Sequence, residues 1–271
     1  MNRRGLWHVR VASIVIAMGS VAISSADAAR LSPTEIMTRN FFVAKVKTSK
    51  SHVYLTLISR DHTVQKRDLV VTSRLQRNGV YSDLFTRFTY PGDIRGTEFL
   101  ERQHPSGHDN LWIYLPALHN VRRIVSNDKR DSFFGTDFSY GDILPSRVAD
   151  YHYQLLGSAV VRGHPCYIVQ SIPVSRHIAR QTGYGRKVSW IRKDDFVTLK
   201  TVFYGRSGRK LKILEAYDVR AIGSHGHHWE ALRETMTNVR TGHRTIYIVR
   251  DLRVGIKAPR RYFSVRTLMR R

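Results

Sequence analysis

The 271-residue sequence has a single cysteine, Cys166, so no internal disulfide can form and stability has to come from a packed core. Cys166 opens an apolar run, Cys166-Tyr167-Ile168-Val169, where a buried structural thiol is expected. Acids are scarce as well: 21 Asp and Glu face 45 Lys and Arg, a formal net charge of +24. A surface of this kind attracts polyanions. Past the first 28 residues no uncharged run approaches the roughly 20 apolar residues that a membrane-spanning helix needs. Catalytic signatures are also missing. There is no His-Glu-x-x-His, no Gly-x-Ser-x-Gly elbow, no phosphate loop, no dinucleotide glycine fingerprint and no Cys-x-x-Cys. The sequence therefore points away from an enzyme and implies no catalytic residue, no cofactor and no metal. No internal repeat or low-complexity linker divides the chain.

The first residues read as a secretory signal. Arg3, Arg4 and Arg10 supply a positive region, Val11 to Ile23 an apolar one, and Ala26-Asp27-Ala28 a small-x-small cleavage site. The expectation is a cleaved signal over residues 1–28 and one exported domain over 29–271. With no cysteine at the cleavage point, the mature chain is not expected to be lipidated. Export turns the charge away from nucleic acid and towards phospholipid headgroups and acidic envelope polymers, each exposed base adding about 1 kcal/mol near an anionic surface. A merely basic solvated surface accounts for the charge equally well.

Helix signals are concentrated at Ser32-Pro33-Thr34-Glu35, which places Ser at an N-cap, Pro in the first turn and Glu where a capping box needs it. From His52 onward the pattern is one of strands. Extended runs at 52–59, 66–76, 79–90, 97–103, 151–161, 165–172, 184–192, 196–204, 210–222, 229–240 and 244–250 are separated by polar turns such as Arg77-Asn78-Gly79. Sequential hairpins of this kind build an antiparallel meander.

The most informative stretch is Asp109 to Ile143. Leu111-Trp112-Ile113-Tyr114-Leu115 is a strand with two apolar faces, and Val121-Arg122-Arg123-Ile124-Val125 returns beside it. Ser132-Phe133-Phe134-Gly135-Thr136-Asp137-Phe138-Ser139-Tyr140-Gly141-Asp142 then sets four aromatics among glycines and small polar residues, and reads as a mobile aromatic flap. Asp137 and Asp142 are expected to latch that flap through Arg122, Arg123 or Arg130. Loop positions account for His225, His227 and His228 and for Asp194-Asp195 better than a metal or acid/base site does.

The order Leu115-Pro116-Ala117, then Val121-Arg122-Arg123-Ile124, then Arg130-x-Ser132-Phe133-x-Gly135-x-Asp137-Phe138-x-Tyr140-x-Asp142 resembles outer membrane lipoprotein-sorting proteins of the LolA-like periplasmic carrier superfamily. The resemblance covers most of the chain, though its specific part is central. It implies a mainly β fold with a few short helices: a strongly curved antiparallel sheet, an incomplete LolA-like β-barrel, with helices over its concave face and an apolar cavity beneath. It further implies a non-catalytic periplasmic carrier of lipid or lipoprotein acyl chains, with an inner-membrane export transporter and the anionic membrane surface as partners and no nucleic acid. Trp112, Tyr114, Phe133, Phe134, Phe138 and Tyr140 are the candidate lipid contacts. Arg122, Arg123 and Arg130 are the candidate contacts to headgroup or membrane. The rival reading is a basic β-rich module that binds an acidic envelope polymer or partner protein without lipid cargo.

Overall fold

A computed structural model describes residues 31–104, 109–124, 129–143, 146–223 and 226–268. The expected signal over residues 1–28, and His225, lie outside the described residues. The chain enters through helix α1 (Pro33–Phe42). Its capping box forms: the Glu35 amide donates to Ser32 Oγ at 3.2 Å, and Ser32 N donates to Glu35 Oε2 at 2.7 Å. Two of the first turn's unpaired amides are thereby satisfied by local residues.

Strands β1 (Thr48–Ile58), β2 (Val64–Leu75), β3 (Ser82–Tyr90), β4 (Glu98–Arg102), β5 (Asn110–Leu115) and β6 (Asn120–Ile124) follow as a meander. After a long crossover come β7 (Tyr151–Val161), β8 (His164–Pro173), β9 (Tyr184–Arg192), β10 (Thr198–Gly205), β11 (Lys210–Ile222), β12 (His228–Asn238) and β13 (Arg244–Val254). All pair antiparallel in one 13-stranded sheet whose spatial order runs β6-β5-β4-β3-β2-β1-β13-β12-β11-β10-β9-β8-β7. The chain therefore starts in the middle of the sheet at β1, works out to one edge at β6, jumps to the opposite edge at β7 and returns to close against β1. A sheet of this many twisted strands has to curl. It curls without closing, the incomplete barrel that the sequence implies.

Cross-strand register defines the two faces. Val169, Ser189, Thr201, Leu214, Met236, Thr245 and Leu57 are successive partners across seven strands and share the inner face. The inner face of the other half carries Val53, Leu69, Phe88, Phe99, Leu111 and Ile113, all 7% exposed or less. Helix α1 covers the β8–β9 end of this face by packing Ile36 on Val169 and Ile191. The rest is covered chiefly by the largely non-helical crossover 129–143, so helices do less of the covering than the resemblance implies.

A second helix, α2 (Arg176–Thr182), was not foreseen in the strand reading. Its signals were present: Ser175 accepts from the Ile178 amide as N-cap, and Gly183, at φ 80°, takes the left-handed C-terminal position. Cys166 is fully buried, and burial raises its thiol pKa. Among the described residues no helix is long and apolar enough to cross a membrane.

Candidate functional site: an aromatic roof over the inner sheet face

The segment from Lys129 to Ile143 is a miniature hairpin. Ser132 bridges Ser139, Phe133 N donates to Phe138 O at 2.8 Å, and Thr136 N donates to Phe133 O at 3.1 Å across Phe134-Gly135. Both central residues have positive φ, 50° and 80°, the signature of a tight primed turn, in which glycine at the second position carries no steric cost. Thr136 Oγ1 and Ser132 Oγ tie the turn further, donating to Phe133 O at 2.7 Å and to Thr136 O at 2.5 Å. These small polar residues, expected in a flap, bond one another into a compact turn. Phe133, Thr136, Asp137, Phe138 and Ser139 are all buried.

The rings occupy the space that the resemblance assigns to a cavity. Phe134 lies 4.3 Å from Phe88, and Phe133 lies 5.5 Å from Phe99 and 5.8 Å from Phe88, centroid to centroid. Tyr140 stands 5.7 Å from Phe99. Phe138 reaches the other half of the sheet, packing with Tyr184, Phe203 and Met236. All four flap aromatics thus meet one continuous inner face. Trp112 and Tyr114 do not join them. Strand alternation turns both to the outer face, where they pack with Phe85, Leu100, Phe263 and Leu268 under the C-terminal segment. The single cluster expected from sequence is divided by the thickness of the sheet.

Polar contacts hold the roof down. Asp137, 7% exposed, accepts from Thr245 Oγ1 at 2.8 Å and lies 2.6 Å from His243 Nδ1, while its own amide donates to Thr245 Oγ1 at 2.9 Å. Asp142 accepts from the Tyr184 hydroxyl at 2.9 Å and from Lys212 Nζ at 3.3 Å. Burial, reinforced by Asp142, raises the Tyr184 phenol pKa well above the usual range. The latch role foreseen for both aspartates therefore has other partners than Arg122, Arg123 and Arg130. Arg122 and Arg123 point to opposite faces of edge strand β6, Arg123 bonding the Asn110 side chain, and Arg130 sits by Gly183 at the end of α2. The three do not form one cluster.

At the root of the roof, residues of β4 and the start of β5 meet residues leading into β7. Asp109 pairs with Arg147 and, at 3.7 Å, with Lys129, beside a polar pocket of about 50 Å³ that Glu101, Asp150 and Tyr151 also line. Burial, then Asp109, keeps the Glu101 carboxyl well above its usual range against the opposing charge of Lys129. Two further carboxyls, Glu230 and Glu234, stand on β12, and Glu234 pairs in register with Tyr247. Burial raises both pKa values to about 7, Glu234 with help from Glu230. Sequence reading did not single out these three, because an isolated Glu in a strand gives no sign of which face it takes. Asp195 is a turn residue bonded to Arg192 at 3.1 Å, and among the described residues no three of His, Cys, Asp and Glu are disposed to hold a metal ion.

Comparison with known proteins gives this geometry a family. A domain named for outer membrane lipoprotein sorting, from Vibrio parahaemolyticus, superposes with a TM-score of 0.80 at 28% identity, covering 88% of this chain and 98% of that one. A DUF1329 family protein from Desulfovibrio piger superposes with a TM-score of 0.81 at 27% identity, over 87% and 97% of the two chains. The family model that matches, over residues 82–270, carries the description of an uncharacterized protein. The chain belongs to the LolA-like lipoprotein-sorting protein family. A LolA superfamily protein from Nitrosomonas europaea shares the LolA-like fold at 20% identity, with a TM-score of 0.67 over 87% of this chain and 98% of its own. No curated protein matches. The family match takes in the whole roof, both latching aspartates and the C-terminal segment.

Proposed function

We propose that this LolA-like protein is a non-catalytic carrier of the bacterial cell envelope that takes the acyl chains of a lipid or lipoprotein against its inner sheet face, in the place the roof now fills. One observation carries this reading. Among the described residues, 129–143 makes no backbone-to-backbone hydrogen bond to the sheet; side-chain latches and ring contacts hold it there. A strand would have to be unzipped, whereas this segment can lift as a unit. Lifting it would uncover Val53, Leu55, Phe88 and Phe99 together, an apolar surface that would otherwise meet water.

The energetics suit reversible loading. Exposing four aromatic side chains costs roughly 6–12 kcal/mol at about 1.5–3 kcal/mol each, and burying an acyl chain of about a dozen methylenes returns about 10 kcal/mol. Cargo and roof are close to balanced competitors, as exchange without bond-making requires. Phe133, Phe134, Phe138 and Tyr140 would be the contacts exchanged, and Arg122, on edge strand β6, and Arg130, at the root of the roof, are exposed where a headgroup or membrane could meet them. Delivery from an inner-membrane export transporter is the partner reading that accompanies this role, in the periplasm.

Native mass spectrometry of the purified mature protein, followed by lipid extraction, should show bound lipid. Phe133→Asp with Phe138→Asp should abolish it, and Phe134→Asp, at the half-buried tip, should weaken it in a chain that still melts cooperatively. A protein that carries no lipid and takes up no fluorescent fatty-acyl probe would overturn the proposal. Binding to acidic polymer that vanishes in high salt and ignores these substitutions would favour the alternative of a basic binding module.

A further inference from the structure

On the outer face, with the sheet between it and the roof, lies a trough of about 460 Å³, within the size range of small-molecule sites. Register builds its floor. Lys50 pairs with Thr72, Thr72 with Phe85, and Val70 with Arg87, so these side chains share one face of β1, β2 and β3. The C-terminal turn forms a wall: Tyr262 stacks on Phe85 with centroids 4.7 Å apart and planes inclined by 8°. Arg95, from the loop between β3 and β4, contributes another side.

Lys50, Arg87 and Arg95 line this space and no carboxylate does. Arg87 has a buried partner, Glu98, 3.7 Å away. Among the described residues Lys50 and Arg95 form no ion pair, and both are exposed. With Arg87 already facing Glu98, Lys50 and Arg95 remain as two unpaired cations beside a stacked aromatic pair, where an anion would be stabilised. A carboxylate offers one charge and two acceptor oxygens. A phosphate ester offers one charge as a diester and up to two as a monoester, with more acceptor oxygens, and guanidinium groups meet it through paired, charge-assisted hydrogen bonds. The half-buried Tyr262 ring lines the same space, beside whatever glycerol or sugar carries the phosphate.

We infer that the trough between β1–β3 and the Tyr262 turn binds a phosphate ester, held by Lys50, Arg87 and Arg95 with its carbon skeleton against Tyr262. The site is separate from the inner face and stands whether or not that face carries hydrocarbon. Its ligand is either a soluble phosphorylated polyol or the headgroup of a phospholipid, and the two sources are separable.

Isothermal titration with glycerol 1-phosphate tests the first source, and sedimentation with phosphatidylglycerol vesicles, against phosphatidylcholine vesicles, tests the second. Saturable binding is expected with at least one probe, weakened tenfold or more by the double substitution Lys50→Gln and Arg95→Gln. Arg206→Gln with Arg209→Gln removes the same charge from the exposed β10–β11 turn and should change binding by less than twofold. Variant-sensitive binding of glycerol 1-phosphate assigns a soluble ligand, and of vesicles alone a lipid headgroup. No saturable binding of either probe, or equal weakening by both double substitutions, overturns the inference. Lipid extracted from the inner face bears on the carrier role and leaves this result untouched.

Discussion

Replacing Asp137 by alanine should unlatch the roof while leaving the sheet standing. The carboxylate loses its contacts with Thr245 Oγ1 at 2.8 Å and His243 Nδ1 at 2.6 Å, and Thr245, fully buried, keeps only the Asp137 amide as a partner in the roof. Hydrogen bonds to a charged group contribute about 1.5–3 kcal/mol each. Taking about 3 kcal/mol for the pair, after the relaxation that a partly accessible His243 permits, the lifted population should rise roughly a hundredfold. Hydrogen exchange read by mass spectrometry on peptides covering 129–143 measures this directly, because exchange in a fast-closing segment tracks its opening equilibrium. Peptides from β9 and β10 serve as the internal reference and should be unchanged. If 129–143 exchanges as in the parent protein, the latch carries no weight. If every peptide accelerates alike, Asp137 supports the whole fold and the segment does not move separately.

Other outcomes follow from the same contacts. Glu234 has a folded pKa of about 7 against an ordinary value of 4.5, so its contribution is intact below about pH 4.5 and is lost as pH rises through 7. Denaturant unfolding should therefore give a lower stability at pH 8 than at pH 5, and Glu234→Gln should recover up to about 3 kcal/mol of that loss; the same pH dependence in the variant would refute the assignment. Leu268→Ala, in the outer cluster at 1% exposure, should cost about 2–5 kcal/mol by thermal or denaturant melting. Because the sheet separates it from the roof, exchange of 129–143 relative to other peptides should stay as it was, and a selective increase there would count against independent faces.

Much of the fold was legible because its signals are local. The capping box at Ser32 and Glu35 needs four consecutive residues, and the hairpin of Leu111–Leu115 with Val121–Ile124 needs only two strand-favouring runs around a Pro-containing turn. The roof was harder. Gly135 and the small polar residues around it were visible, but read as looseness, because their hydrogen bonds are made within the turn and appear only when the turn is built. Helix α2 was missed, although Ser175 and Gly183 mark its ends, since its seven residues have too few turns for periodicity to show.

The strands, their antiparallel succession, the first helix, the excess of bases and the family resemblance are all written in neighbours a few residues apart. Which face of a doubly apolar strand looks inward is set by packing between distant segments, which puts Ile113 against the roof and Trp112 against the C-terminal segment. Alternation separates two faces but cannot say which is enclosed when both are covered. The same packing sets the latches: Asp137 meets His243 across 106 positions and Asp142 meets Tyr184 across 42, pairings that exist because the curled sheet carries β13 and β9 beneath the crossover.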